Sequence, residues 1–295
     1  MIVNLWDSNF QGSPCSTAYQ TSQYIQYVKQ QMTFDGVTLF TDEWINNPIV
    51  DEVQSKYKIG WLHEPYCLHP ETYKHALKNR DKFDFILTYY QPLIDISEGH
   101  RTLNKLTGDP LEYANKFRLT PYAGTWIDKR DWGIKPKSKL CSMLIGSKIS
   151  TEGHRIRHDI AAMIDEQGFN VDFYGVRGES VNYSQDTKLK VLSDYHFSIV
   201  TETCREDNLF TEWLIDCFAL GTIPIFWGAP NIHTFFDVRG ILQFDTVDRC
   251  QKILHGLRPE IWRGKLANIE QNLEMVEGYA VTEDWLYLNV LRELE

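Results

Sequence analysis

The feature that most constrains this chain is an alternation of short apolar runs with longer amphipathic stretches, which runs twice and is interrupted once by a polar break. Residues 1–7, 37–42, 58–63 and 83–89 have strand length and strand composition, and 17–32 and 70–82 read as helices between them, the second opened by Pro70 in its first turn. Residues 128–138, DKRDWGIKPKS, carry no such period and read as a linker. The pattern then restarts with strands at 139–146, 170–174, 196–201, 222–227 and 240–244 and helices at 153–167, 184–194, 209–220 and 247–257. Strands that are apolar throughout must be covered on both faces, which calls for a parallel sheet with crossover helices. The expectation is therefore an α/β chain of two Rossmann-like domains facing a central cleft, 1–132 and 139–258, with helices over 259–295 packing back on the first domain. A ligand belongs at the carboxyl ends of the strands, where the crevice opens.

Composition narrows what such a fold could bind. The formal net charge is −10, with both signs scattered along the chain, so no basic face for nucleic acid is expected. Nine Trp and fifteen Tyr would suit a carbohydrate ligand, although core packing accounts for most aromatics. The six cysteines, Cys15, Cys67, Cys141, Cys204, Cys217 and Cys250, show no Cys-x-x-Cys pair and read as reduced thiols. MIVNLWDSNF has no charged leader before an apolar stretch, and no run of about 18 apolar residues occurs. The expected setting is cytoplasmic, without a membrane span, so the sequon at Asn182 is read as carrying no glycan.

Several chemistries lack their motif. There is no G-x-G-x-x-G after a strand, no phosphate loop ending in G-K-[ST], no nucleophile elbow and no H-E-x-x-H helix. No D-x-D occurs and no closely spaced Cys/His cluster, so neither a metal site nor a cofactor is expected. A sugar diphosphate would then be met by basic side chains and helix N-termini.

One segment concentrates the polar chemistry. Residues 197–230 read FSIVTETCREDNLFTEWLIDCFALGTIPIFWGAP. A buried strand delivers Glu202 and Thr203 to its carboxyl end, a polar loop follows, and a helix opens with Glu212 in its first turn. The next strand ends at Gly228-Ala229-Pro230, a turn of little bulk. Carboxylates at such a place accept hydrogen bonds from ribose or sugar hydroxyls.

This segment resembles the donor motif of the α1,3/4-fucosyltransferases, F-x-L-x-F-E-N-S followed by D-Y-V-T-E-K-L and a G-x-[VI]-P-[VI] strand with a glycine turn. Phe197, Ile199, Glu202, Thr211, Glu212 and Leu214 fall in register, followed by Gly221, Ile223, Pro224, Ile225 and Gly228. Three positions depart from it: the family's Asn is Thr203, its Asp-Tyr is Asn208-Leu209, and its Lys, expected on the donor phosphate, is Trp213. Upstream, residues 139–157 resemble the family's strand, loop and Arg-bearing helix start, which puts Arg157 and Arg155 at the diphosphate. VDFYG at 171–175 resembles its short strand ending in Gly and adds Tyr174 to the donor side. WLHEPYCLHP at 61–70 resembles the Glu-Ser-Pro region, and Pro121-Tyr122 the family's Pro-Tyr.

The resemblance implies a GT-B fold and an inverting, metal-independent transferase that moves a sugar, fucose first, from a nucleotide diphosphate to a glycan hydroxyl. Glu64 then stands as general base with His63 in reserve, and Thr203, Asn208, Thr211, Glu212, Glu202 and Trp213 stand around the donor. Its partners would be GDP-fucose or a related nucleotide sugar and a carbohydrate acceptor. Two alternatives stay open on Trp213: a different UDP- or GDP-hexose donor, or a non-catalytic binding protein of the same fold.

Overall fold

The computed structural model describes residues 1–10, 13–98, 115–121 and 124–295. Tyr122 of the Pro-Tyr pair lies outside the described residues. Two parallel sheets form. The first contains β1 (Ile2–Trp6), β2 (Gln26–Lys29), β3 (Thr33–Thr41), β4 (Gln54–Trp61), β5 (Phe85–Thr88) and β6 (Phe117–Leu119), in the order β2-β1-β3-β4-β5-β6. The second contains β7 (Lys139–Ile145), β8 (Asp172–Gly175), β9 (Tyr195–Thr201), β10 (Ile223–Trp227) and β11 (Leu242–Gln243), in the order β11-β10-β9-β7-β8.

The two-residue period of each strand divides its side chains between two cores. In the first sheet Val3, Leu5, Val37, Leu39, Ile59 and Leu87 face one way, while Trp6, Phe40 and Ile86 face the other, toward helices α1 (Ile49–Glu52), α2 (Pro70–Asn79) and α3 (Gln91–Ser97). In the second, Cys141, Met143, Ile145, Ile199 and Ile225 pack on helix α4 (Glu152–Gln167), and Tyr174, Tyr195, Val200 and Phe226 face helices α5 (Gln185–Leu192) and α6 (Glu212–Ala219). Helix starts follow their capping residues. Thr151 and His154 form a reciprocal capping box on α4, Ser184 caps α5, and Thr246 caps α7 (Val247–His255).

Residues 17–32 are not the helix that the sequence suggests. Aromatic and β-branched residues Tyr24, Ile25, Tyr27 and Val28 favour extended chain, and the segment lies parallel to β1 with Gln26 opposite Ile2. The 128–138 stretch is also firmer than its composition implies. Lys137 Nζ donates to Ser193 O at 2.7 Å, Leu220 O at 2.7 Å and Thr222 Oγ1 at 3.0 Å, which locks the segment under the second sheet. The C-terminal residues divide between the sheets. Helices α8 (Pro259–Arg263) and α9 (Leu266–Val276) pack on the second sheet, whereas α10 (Thr282–Asn289) sets Leu286 into the first core beside Val290 and Leu291. Among the described residues no helix is long and apolar enough to cross a membrane, and all six cysteines are free thiols.

Candidate active site

The carboxyl ends of β7, β8 and β9 open on a cavity of about 580 Å³. Its shape depends on two glycines. Gly175 ends β8 with φ +86°, and a Cβ there would stand 2.2 Å from Ile145 O. Gly153, in the first turn of α4, lies so close to the 202–203 backbone that a Cβ would meet Glu202 O at 1.7 Å. Its N–H donates to Thr203 O at 3.0 Å, so helix start and strand end are joined.

Arg157 lines this cavity. Thr201 holds it from below: Nε donates to Thr201 Oγ1 and Nη2 to Thr201 O, each at 2.8 Å. It forms no ion pair among the described residues, so the rest of its guanidinium edge is available for an anion. Lys148, from the loop after β7, also lines the cavity without an ion pair among those residues.

The carboxylates in the wall are muted. Glu202 is buried, and its Oε1 accepts from Thr211 N at 2.8 Å and Thr211 Oγ1 at 3.3 Å, fixing the entry to α6. Burial pushes its carboxyl up to about 7. Glu212 is paired with Lys188 of α5, whose Nζ lies 3.2 Å from Glu212 Oε1 and 3.0 Å from Asp216 Oδ2. The same ammonium stands 3.2 Å from the centre of the Trp213 ring, and Trp213 forms part of the cavity wall. Thr203 and Thr211 complete this side.

Three of the candidate donor residues lie elsewhere. Arg155 points to solvent and donates to Ser150 O at 3.2 Å, because positions two apart on a helix leave on different faces. Tyr174 is turned into the core, with its hydroxyl 2.7 Å from that of Tyr195. Asn208 sits at the joint between the domains with φ +65°, a conformation Asn tolerates better than most residues. Its Nδ2 donates to Tyr89 O and to Gln91 Oε1, both at 2.9 Å. Beside it Cys204 and Leu209 enter the apolar core of the first sheet, so this loop belongs to both halves.

The cavity also brings in residues that the sequence does not announce: Lys148, His154, Val176 and Tyr183. Tyr183 is 60% exposed at the rim, and the hydroxyl of the neighbouring Ser184 caps α5. An aromatic residue directly before a helix cap, in a loop leaving a strand end, was the available signal.

On the first domain Glu64 follows β4, outside the cavity wall. Its N–H and that of His63 donate to Asp42 Oδ1 at 3.1 and 2.8 Å, and its carbonyl accepts from Tyr73 Oη at 2.7 Å. Asp42 is buried at φ +41°, and burial pushes its carboxyl up to about 7. Burial drives the His63 imidazole the other way, down to about 4. The loop is tied to the second domain through Tyr89, whose hydroxyl accepts from Tyr66 N at 2.8 Å and donates to Glu206 Oε2 at 2.6 Å. Among the described residues no group of three or more His, Cys, Asp or Glu side chains is placed to hold a metal ion.

Two parallel-sheet α/β domains with a cavity at the strand ends of the second define the GT-B class of fold. Solved structures agree. An α1,3-fucosyltransferase with GDP superposes with a TM-score of 0.53 at 13% identity, covering 96% of this chain and 92% of that one. An α,α-trehalose-phosphate synthase (UDP-forming) from Burkholderia vietnamiensis gives 0.58 at 12% identity, covering 88% and 72%. The model of the glycosyltransferase family 10 (fucosyltransferase) C-terminal part matches residues 134–258, so the second domain is similar to that family. An alpha-(1,3)-fucosyltransferase FucT of Helicobacter pylori is 30% identical over 82 residues. That alignment takes in 26% of this chain and 17% of the relative, so the chain spans less than a fifth of the curated relative it matches.

Proposed function

We propose that the chain is an inverting glycosyltransferase that binds a nucleotide diphosphate sugar in the second domain and transfers the sugar to a glycan hydroxyl presented from the first. The observation that carries this reading is the charge balance of the cavity. Arg157 and Lys148 face it without ion-pair partners among the described residues, Glu202 is raised toward neutrality, and Glu212 is paired with Lys188, a cation it shares with Asp216. A diphosphate suits such a field, and a guanidinium with a free edge binds phosphate in two-pronged fashion.

In the proposed reaction the Glu64 carboxylate takes the proton of the acceptor hydroxyl as its oxygen attacks the anomeric carbon. The bond from that carbon to the β-phosphate oxygen breaks, and the nucleoside diphosphate leaves with its charge held by Arg157 and Lys148. No metal ion takes part. Fucose from GDP-fucose is the leading donor, in keeping with the family to which the second domain is similar. A different hexose donor is the second reading, favoured by Trp213 at the position of the family's phosphate lysine: an indole can stack on a base or sugar but cannot neutralise phosphate.

Thermal melts with GDP, UDP and ADP, followed by transfer assays with the matching sugar nucleotides, test the proposal. A nucleoside diphosphate at a hundred times its Kd should add about 2.7 kcal/mol of stability. Transfer should persist in EDTA. Absence of any nucleotide-dependent rise would overturn the binding site. Loss of transfer in EDTA that manganese restores would overturn the metal-free mechanism.

A further inference from the structure

A second cavity lies beyond the wall formed by Glu202 and Gly228, at the ends of β10 and β11. It measures about 250 Å³ and is bounded by Arg205, Gly228, Pro230, Gln243, Asp245 and Arg249. Glu202 lines the larger cavity, and a Cβ on Gly228 would come within 2.6 Å of its Cγ, so the two spaces are neighbours across one thin wall.

Its charge is positive. Arg80, Arg118, Arg130, Arg177, Arg239 and Arg263 each have a carboxylate within ion-pair distance. Arg205 and Arg249, like Arg155, Arg157, Arg258 and Arg292, have none among the described residues, and these two come from different elements and face one space. Asp245 is the one carboxylate among the described residues of the wall, which leaves an excess positive charge. Arg249 is also misplaced by local rules. It is the third residue of α7 after the Thr246 cap, where its N–H donates to Thr246 Oγ1 at 3.2 Å. That position favours Glu or Gln, and the helix dipole disfavours a cation there. Positions that break a local rule tend to be functional or strained sites.

We propose that this cavity is an anion subsite that receives the carboxylate or phosphate of a charged sugar, and, resting on the transferase reading above, that this sugar belongs to the acceptor. The space is less than half that of the donor cavity, which suits one ring with its charged group and excludes a nucleotide. The two guanidiniums would grip the anionic oxygens.

Calorimetric titrations with glucuronic acid, glucose 6-phosphate and glucose, with and without GDP, provide the test. At least one charged sugar should bind ten or more times more tightly than glucose, and which one binds identifies the anion. In Arg205→Gln/Arg249→Gln this preference should vanish while GDP affinity stays unchanged. Arg249→Glu adds an independent readout: an acid at this helix position should hold or raise Tm, yet anion binding should be lost. Equal affinity for charged and neutral sugars in the parent protein would overturn the subsite, as would a preference that survives the double substitution. Anion binding without any GDP binding would keep the subsite and sink the transferase reading instead.

Discussion

Replacing Lys188 by Met removes a cation that three groups depend on. Its side chain is 1% exposed, with Asp216 at 3.0 Å, Glu212 at 3.2 Å and the Trp213 ring centre at 3.2 Å. Met fills the volume of the stem, so the loss is electrostatic. Asp216 is wholly buried and would keep only Thr125 Oγ1 at 2.6 Å and Trp126 N at 3.0 Å, both on Oδ1. Breaking a buried pair from one side costs about 3–5 kcal/mol. At roughly 2–4 °C per kcal/mol for a domain of this size, Tm should fall by about 6–20 °C. The loss must also depend on pH. Burial already raises the Asp216 carboxyl, and without Lys188 its folded pKa rises further above the unfolded value. Such a group is favoured protonated in the folded state, so the variant should lose stability as pH rises and recover part of it as pH falls toward 5. Urea unfolding at pH 5.5 and 8 measures both effects, and Lys188→Met/Asp216→Asn should recover much of the deficit. A loss below about 1 kcal/mol at pH 8, or no rescue by the second substitution, would refute the dependence of Asp216 on this lysine.

Arg157→Met should weaken nucleoside diphosphate binding about 10- to 150-fold, the range for hydrogen bonds to a charged group, with the circular dichroism spectrum unchanged; titration calorimetry with GDP and UDP reads it. Glu64→Gln keeps shape and hydrogen bonding but not basicity, so transfer should drop at least about a hundredfold with nucleotide affinity intact. Unchanged turnover would remove Glu64 from the mechanism. Asp42, raised to about 7 when folded, binds more protons in the folded than in the unfolded chain between pH 4 and 7, so it subtracts stability as pH rises through that window. Asp42→Asn keeps an acceptor for the His63 and Glu64 N–H groups, and its stability relative to the parent should improve from pH 5 to pH 8 in urea melts; the opposite trend would show that the carboxylate is needed charged.

The sequence carried nine of the eleven described strands, all but β2 and β6, because strands buried on both faces leave apolar runs that survive any choice of helix between them. It failed at 17–32, where the alternation of Tyr24, Ile25, Tyr27 and Val28 admits either period and only pairing with β1 decides. Candidate positions came together where a strand end or helix start fixes them: Glu202, Thr203, Thr211, Glu212 and Trp213 all line one cavity. Arg155 and Arg157 are equivalent as letters, and only the register of α4 sends one to solvent and the other to Thr201. Lys188 looks like any lysine on an amphipathic helix. Its burial follows from two carboxylates on α6, a contact between elements that no local pattern encodes.

Trp213 and Lys188 together describe how this chain departs from the motif it resembles. A lysine at position 213 would extend its ammonium from the first turn of α6. Here that turn presents an indole, and the ammonium arrives from α5 against its ring, held by Glu212 and Asp216. The cation is thus retained near the site but spent on two carboxylates, since one positive charge faces two negative ones. On the proposed function, attraction for a diphosphate would rest on Arg157 and Lys148, while Trp213 adds an apolar face to a wall that already has Val176 and Tyr183. Binding energy for such a donor would shift accordingly from phosphate neutralisation toward contact with the base or the sugar. Contact of that kind depends on the shape of the ligand, whereas a point charge accepts any diphosphate. On this reasoning the substitution at Trp213 makes the site more selective between donors, and a comparison of nucleotides reveals more about this protein than the strength of any one of them.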